Sequence, residues 1–363
     1  MLNQQSRIAN RLRELLQVFR RQSRSFIRRI LPPHIRNRFS VLRSIPLFLN
    51  FYYDNVRFQR WSATCRYTLT RDNLRARIIM DYHGIEKGLA LRSPRPGFGV
   101  QLISRLLRNT HEYLDRFGSD EVVLISLECL TKYQEFNQSH HLEDTELEQS
   151  IMDLRQRNEI DATHCDAGGT LEVVREDILS AAKIDGARFF QSRHSIRQFT
   201  SEPIADDLLA QALQLAQYTP SVCNRQAWRV YIFSETRLIE EILKYQNGNR
   251  GFGTQASHII IIACDLSYFV SIGERNQAWI DGGMYAMSLV YALHSVGAGT
   301  CCLNMSTELQ ADRGIRKAAG IRDSDAIIMM LAVGNLPSSC QVARSHRFDI
   351  NSTVRRWAHS TTG

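Results

Sequence analysis

No C-x-x-C pair occurs among the eight cysteines (Cys65, Cys129, Cys165, Cys223, Cys264, Cys301, Cys302, Cys340), which argues against a zinc site or a thioredoxin-like redox centre. No run of about 18 apolar residues is present to span a bilayer. The first residues lack the apolar core and small-residue cleavage site of a signal peptide. The expectation is a cytoplasmic chain with mostly buried, reduced thiols. There is no G-x-S-x-G elbow and no catalytic spacing of histidines, so no side chain reads as an obligatory nucleophile or general base. No recognised nucleic-acid module accompanies the positive charge, and nucleic acid is not expected as a partner. A net positive charge is itself missing from residues 61–363. The formal total is +8, yet residues 1–60 hold thirteen Arg against Glu14 and Asp54, so the remainder sums to 8 − 11 = −3.

What is present is 363 residues with 44% hydrophobic content, enough for a sizeable core and more than one domain. Three parts are expected: a basic amphipathic arm (1–60), a helical domain (61–165) and an α+β domain (166–363). In the arm, Ile8, Leu12, Leu15, Leu16 and Phe19, then Phe26, Ile27, Ile30 and Leu31, recur at helical spacing among arginines until Pro32-Pro33. Such a helix can lie on an anionic membrane surface, which would make the protein peripheral at the inner face. It can also fill a partner's groove or remain a solvated tail.

Between Thr70 and Asn158 the spacing predicts helices, with Gly118 as a C′ residue and Ser119 as the next N-cap. Within them, Asp81-Tyr82-His83-Gly84-Ile85-Glu86-Lys87-Gly88-Leu89 has two readings. His83, Glu86 and Lys87 form a polar cluster ahead of a Pro/Gly-rich loop, a candidate substrate lid. Alternatively, Gly88 simply caps a helix. H-x-x-E-K lacks the second histidine of a zincin, and no metal is expected.

In the last part, Asp206–Gln217 is amphipathic, Arg229–Phe233, His258–Cys264 and Ala326–Val333 read as strands, and Trp279–Val296 is a long apolar helix. Gly251-Phe252-Gly253-Thr254-Gln255-Ala256 fits a loose dinucleotide pattern, but an apolar strand follows where a helix should open, so a Rossmann site is rejected.

In an extended Ser192–Phe199 segment, Arg193, Ser195 and Arg197 share one face. Two guanidinium groups flanking a hydroxyl suit a phosphate. They equally suit a solvated strand edge. The segment reads R-x-S-x-R-x-F and is followed about two dozen residues later by Pro220-Ser221-Val222-Cys223-Asn224-Arg225-Gln226-Ala227-Trp228, or P-S-x-x-N-x-Q-x-W. This ordered pair resembles the nitroreductase family of FMN-dependent oxidoreductases, over roughly residues 188–347. The Asp81–Gly99 stretch resembles an extension of nitroreductase-like proteins encoded near polysaccharide biosynthesis enzymes.

The resemblance implies an α+β fold, a three-layer α/β/α sandwich with a mixed central sheet, here preceded by the helical domain. It implies FMN, with NADH or NADPH as electron donor, and ping-pong hydride transfer through flavin N5 to a small-molecule acceptor. A homodimer with FMN at its interface is also implied, and the Trp279–Val296 helix suits such an interface. Arg193 and Ser195 would hold the FMN phosphate, His194 between them would belong to the cofactor site, and Arg197 would stand beside the pyrimidine end of the ring. Pro220 and Ser221 form the turn against the ring, with Asn224 and Gln226 at its edge, while Trp228 is assigned to packing. Asn249 stands near a flavin-contacting Asn of relatives. Ala298 and Gly299 offer backbone N–H groups near N5, although a plain helix-to-strand turn is the alternative there. Arg347, with its neighbour Arg344, would reach the phosphate. Val222 departs from the Ser or Ala of many relatives. Two alternatives remain open: a flavoenzyme for a dedicated sugar or lipid-linked intermediate, and a non-catalytic FMN-fold subunit.

Overall fold

The computed structural model describes residues 40–157 and 167–356. The expected basic helix at Arg7–Leu31 and Cys165 lie outside them. The chain divides into two compact units, 1–56 and 57–363. Helix α1 (Ser40–Trp61) carries Pro46, whose carbonyl accepts from Asn50 Nδ2 at 2.7 Å.

The second unit opens with helices α2 (Arg71–Leu89), α3 (Val100–Phe117), α4 (Glu121–Ser139) and α5 (Thr145–Arg157). A capping box starts α2, with Thr70 Oγ1 accepting from Asn73 N and Asn73 Oδ1 from Thr70 N. The cap of α4 is Asp120 rather than the expected Ser119, because the Asp120 carboxylate reaches Val122 N at 3.0 Å. Gly88 does not end α2 either; Ala90 is the C-cap. Gly88 lies inside the helix because a Cβ there would meet the Phe98 ring at 2.1 Å, and Gly84 one turn earlier is crossed by Leu102 at 2.4 Å. These two glycines let α3 and its entry loop close on α2.

Short helices α6 (Arg175–Ala181) and α7 (Gly186–Ser192) lead to α8 (Asp206–Ala216), β1 (Trp228–Phe233), α9 (Thr236–Leu243), β2 (His258–Asp265), α10 (Gln277–Ser295), β3 (Ala298–Leu303), α11 (Leu309–Ala319) and β4 (Asp325–Asn335). The strands pair in the order β1-β2-β4-β3, all antiparallel. The mixed character expected of the sheet is confined to one parallel bridge, Ser195 to Thr300.

Alternation along the strands builds the three layers. Ile260, Ile262 and Cys264 of β2 face α8 and α10, and Ile259 and Ile261 face α9 and α11. The helical region belongs to the first of these cores, where Leu74, Ile78 and Ile85 join the cluster that holds Leu289 and Val290. Helix α2 packs against the single turns Val222–Asn224 and Leu266–Tyr268, and Asn73 Nδ2 donates to Ser267 O at 2.8 Å. The helical region thus rests on the second sequence motif. Val222 is part of that apolar contact, which accounts for an aliphatic side chain at this position.

Candidate functional site

Arg193 closes α7, and the chain then runs along the outer edge of β3, with Ile196 N donating to Thr300 O at 2.8 Å. Ile196 and Phe199 turn inward over a pair of cross-strand glycines. A Cβ on Gly299 would come within 3.2 Å of Ile196, and one on Gly334 within 2.8 Å of Phe199. The space over Gly299 is therefore filled by the chain itself, and Ala298 and Gly299 form ordinary β3 ladder pairs with Asn335 and Gly334. The preceding turn is Gly297, at φ 82°.

With the apolar residues turned in, the polar ones face outward. Arg193 and Ser195 are half-buried, and His194 and Arg197 are exposed. The Arg197 guanidinium lies 5.7 Å over the ring of Phe252 and donates to Ser195 O at 3.4 Å. Among the described residues, neither Arg193 nor Arg197 joins an ion pair, whereas Arg225, Arg229, Arg316 and Arg322 are all committed to carboxylates. The field of the segment is visible in its neighbours. Burial raises the Cys301 thiol, and the charges of Arg197 and then Arg193 pull it down. Burial lowers His294, and the nearby Arg193 and His194 lower it further. His294 Nε2 stands 2.9 Å from Ser192 Oγ.

The second motif folds into a tight, left-handed turn. Cys223, Asn224 and Gln226 have φ of 50°, 51° and 49°, a conformation that costs each of these side chains energy and needs support. Arg225 supplies it. Its side chain, fully buried, donates to Glu274 at 2.6 and 3.1 Å, to Tyr268 O at 2.7 Å and back to Val222 O at 3.2 Å. Asp281 Oδ2 accepts from Val222 N at 3.2 Å, and Ser221 Oγ accepts from Gln226 N at 3.0 Å. Burial raises the Asp281 carboxyl, opposed by its bonds to Gln277 and Val222 N. The result is that Asn224 and Gln226 are held outward, next to the exposed Pro220. Arg225, Glu274 and Asp281 were not singled out from the sequence; they act across about fifty residues of chain, and no local spacing marks them. Trp228 is core as expected, stacked on Tyr285 at 4.8 Å with Nε1 on Gln217 Oε1.

The remaining candidates are placed differently. The Asn249 amide is spent within its own loop, donating to Leu243 O at 3.0 Å and Gln246 O at 2.5 Å. Arg344 and Arg347 lie in exposed coil, with the Arg347 guanidinium on Ser345 O. No hydrogen bond or ion pair joins them to the 193–197 segment among the described residues. In the helical region His83 Nδ1 meets Glu86 Oε2 at 3.0 Å, and Glu86 Oε1 accepts from the buried Cys129 thiol at 3.7 Å.

The two motifs do not meet within one chain. Ser195 lies outside β3 at the level of Thr300, Val333 and His258, whereas Trp228 opens β1 at the far edge, level with Cys264. Four strand spacings across and six residues along put them about 19 Å apart in one direction and about 20 Å in the other. They occupy opposite corners of the sheet. The cleft of 890 Å³ at Phe199–Ser201, Pro203–Asp206, Ser234, Thr236 and Thr254–His258 includes neither motif's polar residues.

Part of the chain is similar to known proteins. Residues 190–247 and 237–335 match the model of the nitroreductase family. The iodotyrosine deiodinase of Hydra vulgaris is 21% identical over 190 residues, which is 45% of this chain and 69% of that one. Among solved structures, the FMN-dependent nitroreductase of Clostridium difficile R20291 is 19% identical, over 47% of this chain and 98% of its own, with a TM-score of 0.40. A nitroreductase family protein of Streptococcus pneumoniae TIGR4 is 18% identical, over 47% and 99%, with a TM-score of 0.41.

Proposed function

We propose that this chain, whose residues 190–335 are a nitroreductase-family domain, is an FMN-dependent oxidoreductase that takes electrons from NADH or NADPH and passes them to a small-molecule acceptor. The observation that carries this reading is the outward pair of guanidinium groups, Arg193 and Arg197, flanking Ser195 without carboxylate partners among the described residues. The donor set fits FMN. Arg193 and Ser195 suit the phosphate, and Arg197 suits a ring that gains negative charge on reduction. Asn224 offers an amide that both donates and accepts. When bound, the flavin supplies the hydride chemistry, and the protein sets its geometry, polarity and access.

The corner-to-corner separation of the motifs favours a site completed by a second copy of the chain, the turn of one protomer facing the arginine segment of the other. Helix α10 supports this reading: Trp279, Ile280, Met284 and Met287 are exposed along its outer side, an apolar strip of the kind a dimer covers. In this site the Arg225–Glu274 clamp keeps Asn224 presented, and α2 closes over the back of the turn. The packing of α2 on Val222–Asn224 also favours a dedicated acceptor over a generic one, since the extension touches the motif itself.

The test is direct. Purified protein should be yellow and release FMN, and anaerobic NADH or NADPH should bleach it. A colourless protein that FMN does not reconstitute would overturn the proposal.

A further inference from the structure

The first half of α1 presents a dense run of exposed apolar side chains. Ile45, Leu47, Phe48, Leu49, Phe51 and Tyr52 are all about half exposed or more, Phe48 at 66% and Phe51 at 64%. No charged side chain occurs from Ser44 to Tyr53. At helical spacing, residues 45, 48, 49 and 52 form one stripe with 47 and 51 beside it. The Phe48 and Tyr52 rings stack at 6.3 Å. A contiguous apolar surface of this kind on a soluble protein marks an interaction site.

The charge around it selects the occupant. Residues 1–60 carry thirteen Arg against two carboxylates, a net of +11. A second copy would bring an equal positive charge against it, which disfavours self-association through this unit. A surface of anionic phospholipid satisfies both properties at once, with acyl chains for the aromatic stripe and phosphates for the arginines. No described helix is long and apolar enough to cross a membrane, so the helix would lie along the surface.

We propose that the Ile45–Val56 stretch of α1 docks on anionic phospholipid bilayers, its aromatic and aliphatic side chains entering the headgroup boundary while the eleven arginines of residues 1–43 engage lipid phosphates, Arg57 and Arg60 being held by Asp323. The proposal goes beyond the flavin reading and does not depend on it.

The experiment is co-sedimentation of the full chain with vesicles of phosphatidylcholine alone and of phosphatidylcholine mixed with phosphatidylglycerol. Binding is expected to the mixed vesicles only, and to weaken at high sodium chloride. Phe48→Ser with Phe51→Ser leaves every charge in place and is expected to weaken binding by at least about tenfold, with melting temperature unchanged because both rings are exposed. Phe48→Trp should retain binding, and its emission should shift to the blue on adding mixed vesicles. Equal binding to both vesicle types, full binding by the double serine variant, or no emission shift would each overturn the proposal. A change in the oligomeric state of the serine variant, with vesicle binding intact, would assign the helix to a contact between copies instead.

Discussion

Arg225 and Glu274 form a two-point ion pair, Nη2 to Oε1 at 2.6 Å and Nη1 to Oε2 at 3.1 Å, with the guanidinium fully buried beneath the motif turn. Three residues of that turn hold positive φ, so the pair stabilises a backbone that local preference opposes. Glu274→Ala would leave a buried charge unpaired, at a cost of about 3–5 kcal/mol. Urea unfolding measures it, and an unchanged midpoint would refute the clamp. Arg225→Lys keeps the charge but loses the fork, and flavin content is expected to fall with it.

Gly88→Ala places a methyl group 2.1 Å from the Phe98 ring. The expected loss is about 1–3 kcal/mol, because the ring is held by an edge contact to Tyr133 and by the Tyr133 hydroxyl on Phe98 O. Thermal melting checks it. A variant as stable as the parent would mean that α2 and the loop are not closed in solution.

His258, buried at the start of β2, has its pKa lowered by burial, against the opposing pull of Asp206. The folded state therefore resists protonation at a pH where the unfolded chain accepts it. Stability from this group is present above the ordinary value of 6.5 and is lost as pH falls through 6.5 toward the lowered value. Comparing urea midpoints of the parent and His258→Gln across that window should show a shallower slope in the variant. Parallel curves would exclude His258 as the source.

In the proposed site, Arg197→Ala would remove the cation that stands beside the flavin ring. The two-electron potential of bound FMN is expected to drop by about 30 mV, a tenfold change in equilibrium. Anaerobic dye equilibration reads this, and a potential equal to the parent's would move Arg197 out of the site.

Much of this molecule is legible from residue patterns. The apolar stretch in His258–Cys264 reads as a central strand and Trp279–Val296 as a long apolar helix, and the structure has His258–Asp265 fully buried and Gln277–Ser295 buried along one side. The three layers come from the family resemblance, since these patterns alone do not fix a topology. Local rules did less well where a distant group decides. Ser119 and Asp120 are both competent caps, and Asp120 is further engaged by Tyr113, Arg71 and Arg75. Gly88 resembles a terminator until Phe98 is found against it. The motifs named their own polar residues, but chain order carries no strand order, so nothing in the spacing of Arg193 and Asn224 announces that β3 and β1 lie at opposite edges.

That separation makes the central claim measurable. Arg193→Ala and Asn224→Ala chains, each carrying a different affinity tag, are co-expressed, and the mixed pair is isolated through both tags. If Arg193 of one copy and Asn224 of the other build one flavin site, each variant alone is depleted of FMN. The mixed pair then regains one intact site, about one FMN per two chains. A mixed pair as empty as its parents would contradict the shared site.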